Sequence, residues 1–234
     1  MHRLAIALIA IAFFATSVAA RGTPPPVTGT IVAPVATPKN SLILPTLRNT
    51  RQILFFGDSI TDYYGYPTVV SSALDLVRIN YRPNDPNRAA IGGTSLILTV
   101  KDYGLRVAPY PLDKLVVFYG TNDFYLIEGQ PASFSLTDWT AAWDSLYAQV
   151  DHTRIKRVIV VGLPYLTGLG RPMPFPITSF RGQMDTITEN EAAAHGATYV
   201  SLDAMTAAML QSDGIHPNAS GQALIAQSII AAAK

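Results

Sequence analysis

The chain has 234 residues, with 17 Lys or Arg against 16 Asp or Glu and a formal charge of +1. Balanced charge without a basic stripe argues against a nucleic-acid partner, and the lack of any cysteine excludes disulfides, thiol nucleophiles and thiolate metal sites. Hydrophobic residues make up 49% of the chain, ample for one compact core.

Residues 1–20 read as a secretory signal peptide. His2 and Arg3 give a basic start, Leu4 to Ala15 is apolar and uncharged, and Thr16 to Ala20 supplies small residues for cleavage. The apolar run is short for a membrane span. An uncleaved signal anchor is the competing reading. Cleavage after Ala20 removes Arg3 and leaves 16 basic residues against 16 acids. The expected location is secreted or periplasmic, with no membrane partner after cleavage. Residues 21–50 carry Pro24, Pro25, Pro26, Pro34, Pro38 and Pro45 among Thr, Val, Ala and Gly. Prolines at that density predict an extended linker rather than a helix or central strand. A leftover segment without a role fits the composition equally well.

Residues 51–234 form the expected domain. Gln52 to Phe56 is a buried strand ending at Gly57. Tyr66 to Asn80 has helical spacing, and Arg88 to Ile91 is a candidate short strand. Leu115 to Tyr119 is a strong strand ending at Gly120. Thr137 to His152 is a helix that Ser135 or Thr137 can cap. Arg157 to Val161 is the clearest strand. Phe180 to His195 is a helix closed by Gly196, Thr198 to Leu202 a strand, and Ala219 to Ala233 the final helix. Continuous apolar strands alternating with amphipathic helices predict an α/β sandwich around a parallel sheet of about five strands. Ligands in such folds bind beyond the carboxyl ends of the strands.

Four short blocks fall at those ends. Gly57-Asp58-Ser59-Ile60-Thr61 puts a serine where a turn begins, with backbone N–H groups facing any oxyanion beside it. That suits an acyl-transfer nucleophile. A plain capped turn is the bland alternative. Asp213-Gly214-Ile215-His216-Pro217-Asn218 places an acid three residues before a histidine, within reach on one face of a helical turn. Asp213 can then fix the ring tautomer of His216, as the acid does in a serine triad. The bland alternative is a capping turn with an exposed histidine, and no spacing supports a metal site. Gly120-Thr121-Asn122-Asp123 follows the strongest strand, and Asn122 can offer a side-chain N–H to an oxyanion. Ile91-Gly92-Gly93-Thr94 offers a glycine N–H that a substrate oxygen can approach closely. Each of these two is also an ordinary turn sequence.

Of four histidines, His2 lies in the signal, while His152 and His195 sit near helix ends that favour a cation. His216 is the remaining candidate base.

Taken in order, Gly57-Asp58-Ser59, Gly93, Gly120-Thr121-Asn122-Asp123 and Asp213-Gly214-Ile215-His216-Pro217 resemble the blocks of the SGNH hydrolases, the GDSL esterase/lipase family. The resemblance spans residues 53 to about 230. It implies a flavodoxin-like three-layer α/β/α sandwich and a serine ester hydrolase needing no cofactor or metal. It implies Ser59 as nucleophile, His216 as base and Asp213 as orienting acid. It further implies an oxyanion hole from the Ser59 N–H, the Gly93 N–H and the Asn122 side chain, with Gly92 as the alternative to Gly93. Activity is expected to fall below roughly pH 6 to 7, where imidazole protonates.

The substrate is less legible. Asp62, Tyr63, Tyr64, Gly65 and Tyr66 follow the nucleophile, and Asp123, Phe124 and Tyr125 follow the third block. Aromatic side chains there can stack on sugars or line an acyl pocket. Trp139 and Trp143 sit four apart on a helix, which suits core packing. Secretion and the short stretch between Gly93 and Gly120 favour a small acyl group, such as acetate on a saccharide. A lysophospholipase or thioesterase-like lipid esterase is the alternative enzyme, and a non-catalytic binding module the alternative class. Asn218-Ala219-Ser220 matches a glycosylation sequon but also suits a helix start.

Overall fold

The computed structural model describes residues 51–82, 85–128, 133–167 and 177–234. The expected signal and linker, 1–50, lie outside them. Five strands, β1 (Gln52–Gly57), β2 (Val77–Arg78), β3 (Lys114–Phe118), β4 (Val158–Val161) and β5 (Thr198–Val200), form one sheet in the order β2-β1-β3-β4-β5. Every pairing is parallel, with Ile53 opposite Lys114, Leu115 opposite Val158 and Ile159 opposite Thr198. This is the flavodoxin-like order expected from the four blocks.

The apolar strand runs are continuous because both faces of the sheet are covered. Leu54, Phe56, Leu115, Val117, Val158 and Val160 point into one core layer, with Trp139, Trp143, Tyr103 and Leu96. Ile53, Phe55, Val116, Phe118, Ile159 and Val161 point into the other, with Val70, Ile225 and Ile229. The first layer is covered by α3 (Leu96–Thr99), α4 (Tyr103–Arg106), α6 (Leu136–Tyr147) and α7 (Ile177–Ala194), and the second by α2 (Tyr66–Ala73) and α8 (Ala219–Ala233). Two shorter helices, α1 (Ser59–Asp62) and α5 (Thr121–Glu128), leave the ends of β1 and β3.

The tryptophans are core residues, as their spacing suggested. Both are fully buried, edge to face with centroids 5.4 Å apart, and Trp139 Nε1 donates to Met184 O at 3.2 Å. Ser135 is the cap of α6 and forms a capping box with Asp138. Ser135→Ala should destabilise the domain by about 1 kcal/mol. A urea titration reads that shift, and an unchanged midpoint would remove the box from the account of α6.

The structure corrects two elements. The helix expected over Tyr66 to Asn80 ends at Ala73, because the chain reverses at Asp75 (φ 51) and enters β2. Arg88 to Ile91 is not a strand; only Ala90 bridges to Gly57. The edge position belongs to Val77–Arg78, and Val77 is 57% exposed. A two-residue edge strand buries too little to leave the apolar run by which the other strands are read. Smaller shifts occur at helix ends: α6 stops at Tyr147 rather than His152, and α7 starts at Ile177 rather than Phe180. Asn218 is a helix cap, its side chain accepting from Ser220 and Gly221 N–H and donating to Ala208 and Leu210 O. Among the described residues, no helix is long and apolar enough to cross a membrane.

Candidate active site

The sheet order reverses at β1, whose neighbours β2 and β3 lead away in opposite directions, the position at which open α/β folds form their ligand crevice beyond the carboxyl ends of the strands. Ser59 is the first residue after the Asp58 cap of α1. Asp58 takes up the turn's amides: its carboxyl accepts from Ile60 N–H at 2.9 Å, and its carbonyl from Thr61 and Asp62 N–H at 3.1 and 2.9 Å. The Ser59 N–H is the one amide of this turn with no acceptor among the described residues. Asp58 is itself buried. Desolvation pushes its carboxyl up to about 8 against the Ile60 hydrogen bond, with the nearby Asp123 carboxyl adding to the rise.

His216 and Asp213 arrive from the loop between β5 and α8, which is pinned by a bridge between Leu210 and Pro217. His216 Nε2 lies 2.9 Å from Ser59 Oγ, and His216 Nδ1 lies 2.6 Å from Asp213 Oδ2. The carboxylate beside Nδ1 places the ring proton there, which leaves Nε2 to accept from the serine hydroxyl. Asp213 Oδ1 also accepts the Ile215 and His216 N–H groups at 2.9 and 3.0 Å. The approach of acid and histidine therefore comes from a loop folded around a carboxylate, not from the expected helical turn. Burial raises the Asp213 carboxyl, but the Ile215 and His216 hydrogen bonds outweigh it and hold the group below the usual carboxylate value. Tyr64 leans over the imidazole with centroids 5.6 Å apart, and its hydroxyl accepts from Gln211 Nε2 at 3.0 Å. The Gln211 N–H in turn donates to His216 O at 2.7 Å.

The two glycines of the second block differ. Gly92 N–H donates to Asp62 Oδ2 at 3.0 Å, so it is already used. Gly93 has φ +78 and open space where a Cβ would stand, and its N–H has no partner among the described residues. Asn122 Nδ2 donates to Thr94 O at 2.8 Å, tying the third block to the residue after Gly93 and leaving its second N–H. Asp123 is fully buried, and its two oxygens accept the Leu96 and Ile97 N–H groups at 3.0 and 2.9 Å. Burial pushes this carboxyl up to about 6 despite those bonds. Gly120 has φ +128, and a Cβ there would lie 2.8 Å from Leu163, so the exit from β3 demands glycine.

Residues 55–224 match the GDSL-like Lipase/Acylhydrolase family. The chain belongs to that family. The domain is accordingly a carboxylic ester hydrolase, as the four blocks implied. Its fold is shared with a substituted form of an acetyl xylan esterase from Geobacillus stearothermophilus, at TM-score 0.64 and 18% identity over 78% of this chain and 94% of that one. A catalytic mutant of the same enzyme gives 0.63 and 17% over the same shares. An alpha/beta hydrolase enzyme from the metagenome of Lake Arreo, Spain, gives 0.64 and 18%, again over 78% and 94%. No curated protein matches the chain.

Not every residue singled out in the sequence reaches the site of this esterase. Phe124 is buried in the core against Phe180. His195 stacks on Tyr147 and faces Glu191 and Asp144 at 3.7 and 3.9 Å, an ion-pair arrangement at the end of α7. These three side chains gather their ligand-type atoms within 4.8 Å, but away from the crevice. Conversely, Arg88 and Gln211 join the site's supporting network although neither was singled out in the sequence as a site residue. Arg88 grips Asp62 across 26 residues. The weak signal that could have found it is its place three residues before the Ile91-Gly92-Gly93-Thr94 block.

Proposed function

We propose that the esterase uses Ser59 as nucleophile, His216 as general base and Asp213 as orienting acid, and that it is exported to remove small acyl groups, such as acetate, from a carbohydrate. The observation that carries this reading is the continuous hydrogen-bonded chain Ser59 Oγ–His216 Nε2, 2.9 Å, and His216 Nδ1–Asp213 Oδ2, 2.6 Å. His216 takes the hydroxyl proton as Ser59 attacks the ester carbonyl. The tetrahedral oxyanion is received by the Ser59 N–H, the Gly93 N–H and the Asn122 amide, three donors that retain free capacity. Asparagine in that role lowers the barrier by about 3 kcal/mol. The alcohol leaves with the proton from His216, and water repeats the sequence to release the acid. Gly93 is preferred over Gly92 because Asp62 already occupies the Gly92 N–H.

Support for the small acyl group is of two kinds. Tyr63 is 65% exposed next to the nucleophile turn, a ring on which a sugar can stack. The fold is also shared with proteins named as acetyl xylan esterase. Export rests on the apolar run and small-residue site of residues 1–20.

Hydrolysis of p-nitrophenyl acetate, butyrate and octanoate by the full chain, beside Ser59→Ala, tests the reading. Highest kcat/KM on acetate, lost in Ser59→Ala, is the expected result. A maximum at octanoate would replace the saccharide ester with a lipid ester. Turnover that survives Ser59→Ala would overturn the nucleophile. The same assay on spent medium, osmotic-shock fluid and spheroplasts tests export, with the activity expected in the medium or the shock fluid.

A further inference from the structure

We infer that Asp62 and Arg88 are positioning residues of the esterase: the pair anchors Gly92 to the nucleophile turn and so sets the Gly93 N–H where the oxyanion forms. This rests on the reading of Gly93 as an oxyanion donor. Asp62 is the last residue of α1, three after Ser59. Arg88 binds it with two bonds, Nε to Oδ1 at 3.1 Å and Nη2 to Oδ2 at 2.9 Å, and both side chains are largely buried. Oδ2 also accepts the Gly92 N–H at 3.0 Å. One carboxylate therefore joins the turn carrying the nucleophile to the loop carrying the donor.

The need for such an anchor follows from the loop itself. Gly92-Gly93 is the most permissive dipeptide backbone available, and Gly93 sits at φ +78 with nothing within 4 Å of where a Cβ would stand. On the far side, Asn122 holds Thr94 O and Asp123 holds the Leu96 and Ile97 N–H groups. The Gly93 peptide is thus clamped from the first block through Asp62 and from the third through Asn122. Tyr63, whose ring fills the place of a Gly92 Cβ, closes off movement toward the nucleophile turn. Arg88 contributes by fixing the carboxylate plane with a fork of two donors, which a single lysine ammonium would not do. Its remaining contact, Nη1 to Asp85 O at 3.3 Å, steadies the guanidinium. Releasing one side of the clamp lets the donor drift, and a drift of about 1 Å typically costs on the order of 100-fold in rate.

The experiment uses three variants of the full chain: Asp62→Asn, Arg88→Gln and the double variant. Asparagine keeps an acceptor for Gly92 and for Arg88 Nη2 but turns an amide N–H₂ toward Arg88 Nε, so the two-bond fork and the ion pair are broken. In the double variant the two amides can pair again. The expected result is a fall in kcat for p-nitrophenyl acetate of roughly 10- to 100-fold in Asp62→Asn, with KM and the pH profile unchanged. The rate of Ser59 labelling by a fluorophosphonate should fall in parallel, because its phosphoryl oxygen enters the same hole. The double variant should regain much of both rates. Wild-type kcat in Asp62→Asn would overturn the inference. So would a loss in the double variant as large as in the single one, or a loss that merely follows the folded fraction in a thermal melt. Fluorophosphonate labelling that persists in Ser59→Ala would instead overturn the site reading beneath it, a separate failure.

Discussion

Replacing His216 with alanine should lower kcat by roughly four to six orders of magnitude and change KM little. The loss is expected to be large because the proposed base, Nε2, lies 2.9 Å from Ser59 Oγ, and no other described side chain is hydrogen-bonded to that hydroxyl. Asp213→Asn should cost about four orders, since an amide beside Nδ1 can hold the wrong tautomer with its N–H facing the ring. Asp213 is held below the usual carboxylate value, its Ile215 and His216 hydrogen bonds outweighing burial, and Asp213→Asn should lower the whole profile. Steady-state kinetics from pH 4 to 9 check both statements. A flat wild-type profile down to pH 4 would remove His216 from the mechanism.

The second large effect concerns stability. The Asp58 carboxyl is pushed up to about 8 by burial, from an ordinary value of 3.8. Between those values the folded domain keeps a proton that the unfolded chain has given up. Stability is then fully present at acidic pH and falls as pH rises, the reverse of the usual salt-bridged carboxylate. From pH 5 to pH 8 this group alone should remove roughly 3–4 kcal/mol of folding free energy. Asp58→Asn retains the oxygen that caps Ile60 and cannot ionise, so its unfolding free energy should lack that share of the slope. Asp123, raised to about 6, leaves a smaller slope of the same sign in both proteins. Urea unfolding at pH 5 and pH 8 decides the matter. Parallel slopes for the two proteins would mean that Asp58 is ionised in the fold.

Much of this was legible because strand ends write themselves plainly into a parallel sheet. β1 and β3 carry the apolar runs Ile53–Phe56 and Leu115–Tyr119, each followed by a glycine, and the residues after those glycines stand at the carboxyl ends of the strands. Ser59 and Asn122 could therefore be placed before any coordinates. Asp213 and His216 were legible as a pair, though not the loop that joins them. That loop is shaped by one carboxylate collecting two amides and a ring, a geometry with no periodic signal. β2 was misplaced because it is a short exposed edge. Phe124 was read toward the site because it neighbours Asn122, yet the helical turn of α5 sends it into the core. The Asp62–Arg88–Gly92 link was invisible, since it joins residues 26 and 30 apart through side chains that look like ordinary surface charges.

The course of β1 and α8 has a practical side. β1 begins at Gln52 and delivers Ser59 to the crevice, so the chain enters the domain at the sheet's opposite end. α8 starts at the Asn218 cap, two residues after His216, and runs back along the sheet, with Ala233 packed in the same core layer as Ile53 and Leu76. Entry and exit both lie away from the catalytic mouth. A fusion partner or a resin coupled at either end of the domain leaves the strand ends that carry Ser59 facing outward.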